Sequence, residues 1–175
     1  MSICNLFGLD HSKDSDTSSA AESQSVRRIT AALDQMEPDR ARFIAAFAYV
    51  LSRVARSDQE FSPEEMLLIE RIVAGQGHLS EEQASIVVQI SKTQGILFSG
   101  IEDYVVTREF NRIATHEQKL ALLDCLFAVS AVNHSISAVE DGTIRQIARE
   151  LKLHHQEFIK VPLRYRDYLD VLEST

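Results

Sequence analysis

Asp58-Gln59-Glu60-Phe61-Ser62-Pro63-Glu64-Glu65 joins two apolar runs of helical period, and its reading decides the fold. Ser62 is a favourable N-cap, Pro63 suits a first helical position and Glu65 completes an S-x-x-E capping box, so a helix starts here. Upstream, Phe43, Ile44, Phe47, Val50, Leu51 and Val54 recur at spacings of one, three and four, which predicts a helix with a wide apolar face from about Asp39 to Ser57. An imperfect copy of the stretch, Asn133-His134-Ser135-Ile136-Ser137-Ala138-Val139-Glu140, follows seventy-five residues later. Each copy has an acid or its amide first, an apolar residue three later, a serine four later and a glutamate seven later. At that offset Leu51 meets Leu126, Val54 meets Val129, Ile69 meets Ile144 and Ile72 meets Ile147. Matches at cap and core positions around both loops predict a duplicated helix–loop–helix.

Working outward, the remaining helices declare themselves by the same signals. Val26, Ile29, Leu33 and Met36 mark a first helix from about Ser25. Met66, Ile69, Ile72 and Val73 continue the helix opened at Ser62, which ends near Gly75-Gln76-Gly77. Ser80-Glu81-Glu82-Gln83 caps another, with Ala84, Val87 and Val88 inward, and Gly95 and Gly100 bracket a break. Tyr104, Val105 and Phe110 define the inward face of the next. Thr115-His116-Glu117-Gln118 opens a long apolar helix through Leu123, Leu126 and Val129. Ile144, Ile147 and Leu151 follow the second loop, and Tyr165, Tyr168, Leu169 and Leu172 form a closing helix. No run alternates with period two, so the fold class is all-α: a bundle of about seven to nine helices in two pseudo-symmetric repeats. Residues 1–25 end in the Ser-rich Asp10–Ser25 segment, which has too little apolar surface to offset its ordering entropy. They read as a flexible tail before a single domain at 26–175.

Composition bounds the function. Hydrophobic residues make up 45% of the 175, enough for a core built with few aromatics and no Trp. The formal net charge of −8 disfavours a nucleic-acid partner and suits cations or a basic protein surface. The two cysteines, Cys4 and Cys125, form no CxxC pair, which points to a reducing compartment. No apolar run has transmembrane length, and Met1–Leu9 lacks a basic n-region, so the expected location is cytoplasmic.

Ala48-Tyr49-Val50-Leu51-Ser52-Arg53-Val54-Ala55-Arg56-Ser57-Asp58, then Phe61-Ser62 and Glu65, carries a recognisable pattern, and Val129 to Glu140 carries it again. From about Arg40 to Leu172 the chain resembles the TerB family of bacterial tellurite-resistance and stress-response proteins. The resemblance implies an all-α fold, a non-enzymatic role with a protein partner, and acidic loop positions that hold a divalent metal such as Ca²⁺, Mg²⁺ or Mn²⁺. Transferred to this chain, those positions are Asp58, Glu65, Asn133 and Glu140, with Glu60 and His134 at the rim. Three departures stand out: Asp58 is not followed by Gly, Asn133 replaces the second aspartate, and Ser130 stands where the first copy has Ala55. The alternative is a metal-free adaptor, similar to the TerB-like domain of membrane-associated co-chaperones, with peripheral membrane association.

The residues themselves leave both readings open. Asp58 and Glu65 can face one side of a loop, but a hard cation wants more oxygens than two. Ser62 with Glu65 and Ser137 with Glu140 are equally explained as capping boxes. His116-Glu117 begins like HExxH, but the fifth residue is Leu120. No nucleophile elbow, phosphate loop or dinucleotide fingerprint occurs, and Cys125 sits in an apolar run without a basic neighbour.

Overall fold

The computed structural model describes residues 17–55, 62–97 and 103–168. Eight α-helices lie among them: α1 (Thr17–Asp34), α2 (Pro38–Ala55), α3 (Pro63–Gln76), α4 (Glu81–Leu97), α5 (Asp103–Ile113), α6 (His116–Ser130), α7 (Ala138–Glu150) and α8 (His155–Lys160). A 3-10 turn, Ala131–Asn133, follows α6, and a 3-10 segment, Pro162–Tyr168, follows α8. The described residues contain no β-strand, and the protein is all-α.

The organising element is α2. Every residue from Phe43 to Ser52 is buried, which a surface helix with one apolar stripe cannot achieve. It is enclosed by α1, α4, α5, α6 and α7. Phe43, Phe47 and Phe110 form a ring cluster with centroids 5.4–6.1 Å apart. Helix α6 is the second apolar element, with Leu122, Leu123, Leu126 and Phe127 fully buried. All seven side chains expected at the centre — Phe43, Phe47, Leu51, Val54, Leu123, Leu126 and Ile147 — are in the core.

The helices that follow the two loops share their ends as well as their starts. In α3 the chain leaves through His78 at φ 53°, with Leu79 N–H donating to Ala74 O at 3.1 Å. In α7 it leaves through Lys152 at φ 57°, with Leu153 N–H donating to Ala148 O at 3.1 Å. Both are Schellman endings made without glycine at the left-handed position. The N-caps Ser62 and Ser137 are seventy-five apart, but His78 and Lys152 are seventy-four apart, because α3 has 14 residues and α7 has 13. Within the helices the offset of seventy-five holds: Ile69 and Ile144 are both buried, as are Val73 and Ala148, while Ile72 is shallower than its counterpart Ile147.

Several expectations need correction. Helix α1 starts at Thr17, not near Ser25; residues 1–16 of the expected 1–25 tail lie outside the described residues. Ser18 to Gln24 includes two Ala, Glu and Gln, good helix formers. Once Ile29 and Leu33 anchor the later turns, adding earlier ones avoids the nucleation cost. Helix α4 runs through Gly95 to Leu97. Tyr104 and Val105 are about half exposed, and α5 instead turns Val106, Thr107 and Phe110 inward. The closing segment is 3-10, kinked at Tyr165, and Leu169 and Leu172 lie outside the described residues.

Candidate functional site

Of the four expected metal ligands, Glu65 and Glu140 are in view and are used by their own helix starts. The Ser62 N–H donates to Glu65 Oε2 at 2.7 Å and the Glu65 N–H donates to Ser62 Oγ at 3.2 Å. In the second copy the Ser137 N–H and hydroxyl donate to Glu140 Oε2 at 2.9 and 2.7 Å, and the Glu140 N–H donates to Ser137 Oγ at 3.2 Å. Each box satisfies two backbone donors that a helix start otherwise leaves open. Asp58 and Glu60 lie outside the described residues. The backbone of Asn133 closes the 3-10 turn, and His134 follows at φ 64°, exposed, its N–H donating to Ala131 O at 2.9 Å.

The described residues do place the Ser62 helix start relative to Asn133. Beside Gln76, a Cβ built on Gly77 stands 3.5 Å from Cys125 Sγ, which places the end of α3 against the middle of α6. The same α3 also packs on Ala131–Asn133, which at 1.5 Å per residue lies about 9 Å further along the α6 axis. From Gln76, α3 extends only back toward Pro63, so it runs antiparallel to α6. Its Ser62 start therefore lies at the Asn133 end of the molecule. Among the described residues no group of three or more His, Cys, Asp or Glu side chains is placed to hold a metal ion.

At the other end of α7 lies a polar cluster that sequence reasoning missed. Arg53, 5% exposed at its side chain, donates through Nη1 to Glu150 Oε2 and to Thr107 Oγ1, each at 2.6 Å, and through Nη2 to Glu150 Oε1 at 3.3 Å. Its Nε stands 3.6 Å from Asp103 Oδ2, and the Tyr49 hydroxyl donates to Asp103 Oδ1 at 2.8 Å. Burial works to raise the Glu150 carboxyl pKa, but hydrogen bonding and charge from Arg53, aided by Gln146 and Thr107, hold it below the ordinary value. The cluster ties α2, α5 and α7 together and draws Asp103 and Thr107 inward, which turns Tyr104 and Val105 outward. The available signal was a lone charged residue, Arg53, in the Val50–Ala55 run.

Other reactive side chains are similarly committed. Burial, with Asp124 adding, pushes the Cys125 thiol well above its ordinary pKa, so it is a core thiol and a poor nucleophile. Burial and then Asp124 push Tyr165 up to about 12; its hydroxyl lies 3.2 Å from Asp124 Oδ1 and 3.3 Å from Gln76 Oε1. His116 Nε2 pairs with Glu157 Oε1 at 2.6 Å, joining the start of α6 to α8. No described helix is long and apolar enough to cross a membrane.

Comparison with known proteins agrees with this architecture. No curated protein and no solved structure shows significant similarity to the chain. The family model described as tellurite resistance protein TerB matches residues 43–163, which run from the buried face of α2 to the 3-10 segment after α8. A match over more than half of the chain, on an all-α fold, shows that this chain belongs to the TerB family.

Proposed function

We propose that this chain is a non-enzymatic interaction protein of the TerB type, serving a bacterial stress response in the cytoplasm, whose acidic loop residues act first as helix caps. The observation that carries the reading is the pair of capping boxes. Glu65 and Glu140 each spend an oxygen on the serine N–H of their own helix start. The exposed apolar side chains Leu67, Leu68, Val139 and Leu163 suit a protein partner rather than a buried reaction centre.

A second reading, a divalent ion at the loops, is favoured by one observation. The antiparallel run of α3 along α6 puts the Ser62 start at the Asn133 end, so the helix starts that carry Glu65 and Glu140 lie toward the same end of the molecule. One substitution separates the two. Glutamine at the third helical position preserves a capping box but not a carboxylate ligand. Glu65→Gln should leave the melting temperature nearly unchanged, and millimolar Ca²⁺, Mg²⁺ or Mn²⁺ should shift neither protein. An ion-induced rise in the wild type, abolished by Glu65→Gln and by Asp58→Asn, would overturn the metal-free reading in favour of a bound ion.

A further inference from the structure

We propose that the outer face of α3 is a self-complementary surface on which a second copy of this chain docks antiparallel. Glu64, Leu67, Leu68, Arg71 and Gly75 are all exposed and lie at helical spacing along one face of α3. Leu67 is 58% and Leu68 45% exposed, an adjacent apolar pair on the surface of a helix whose other face already packs on α4 and α6. Among the described residues neither Glu64 nor Arg71 has an ion-pair partner. They are seven residues apart, about 10 Å along the axis, too far to satisfy each other.

The spacing is what selects the occupant. When a helix packs antiparallel against its own copy across a two-fold axis, residue i meets residue j wherever i and j are equally distant from the axis. An axis placed between Leu67 and Leu68 brings Glu64 of one copy opposite Arg71 of the other, and the reverse, so both ion pairs form at once. Leu67 of each copy then meets Leu68 of the other between the two pairs. Gly75 adds clearance, since a Cβ there would meet nothing within 4 Å. A partner of a different sequence would need a matching base–apolar–acid pattern, whereas a second copy supplies it by symmetry. One helix face is a small interface and the chain carries net charge −8, so the dimer is weak and concentration-dependent.

The test is light scattering or sedimentation of the full chain from about 10 μM to about 1 mM, the range of a small interface. The wild-type mass should rise from 19.7 kDa toward twice that value with concentration. Glu64→Arg and Arg71→Glu, each alone, place like charges opposite each other twice and should weaken the dimer about tenfold or more. The double variant carrying both reversals restores opposite charges and should return to within about twofold of wild type. Both substituted positions are exposed, so each variant should still melt in one cooperative transition, which excludes misfolding; Glu64→Arg, in the first turn of α3, should melt slightly lower because it reverses a favourable charge at a helix start. A wild type that stays at 19.7 kDa throughout, or single reversals that leave the dimer unchanged, would overturn the proposal. So would a double variant that folds but stays as weak as the single ones.

Discussion

Arg53 shows what a single residue decides here. A guanidinium buried in the wall of the core is tolerable only because Glu150, Thr107 and Asp103 surround it. Removing one partner strands the other. Arg53→Met should therefore cost about 3–5 kcal/mol in denaturant unfolding, the range for a broken buried pair. Arg53→Met with Glu150→Leu should recover most of that loss, because neither charge is then left unpaired. The same pair sets an acid limb. Glu150 has a folded pKa held below its ordinary 4.5, so its contribution is full above that value and is lost as pH falls through the lower folded value. Melting temperature followed from pH 7 to pH 3 should fall less steeply in Glu150→Gln than in wild type. An unchanged slope would mean that the pair contributes nothing to acid sensitivity.

At the scale of elements, the two loop-following helices are defined by their ends. Ser62→Ala and Ser137→Ala each remove the side-chain acceptor of a capping box. Each should cost about 0.5–2 kcal/mol, read from denaturant midpoints at constant slope. The effects should add, since each box is closed by residues of its own helix start. The one-residue difference in length between α3 and α7 falls at their C-terminal ends. Caps match at one offset and helix ends at another, while between them Ile69 and Ile144 are both buried and Ile72 is shallower than Ile147.

The whole molecule is held by α2 and α6. Leu51 in α2 and Leu126 in α6 are both fully buried. Leu51→Ala and Leu126→Ala should each cost about 2–5 kcal/mol in equilibrium unfolding, with the spread set by how far each cavity collapses. A loss under about 0.5 kcal/mol at either would contradict the packing seen here. Because α2 touches five other helices, the loss at Leu51 should appear as a shift of one cooperative transition rather than as local fraying.

The all-α class, the core faces of α2 and α6, the capping boxes at Ser62, Ser80, Thr115 and Ser137 and the TerB resemblance were legible in the residues alone. These rest on period and cap chemistry, which are local and repeat every turn. The rest is non-local and comes from contacts between distant segments. The inward face of α5 depends on Arg53, fifty residues away in the chain, because a buried charge outranks the burial of Tyr104 and Val105. The early start of α1 depends on an anchor further along the same helix. The left-handed endings at His78 and Lys152 depend on packing that offsets about 1 kcal/mol of backbone strain at each, where the sequence offers no glycine. The face shared by Glu64, Leu67, Leu68 and Arg71 became legible only once α3 was seen to bury its opposite side. Period alone cannot say which polar stripe is left for a partner.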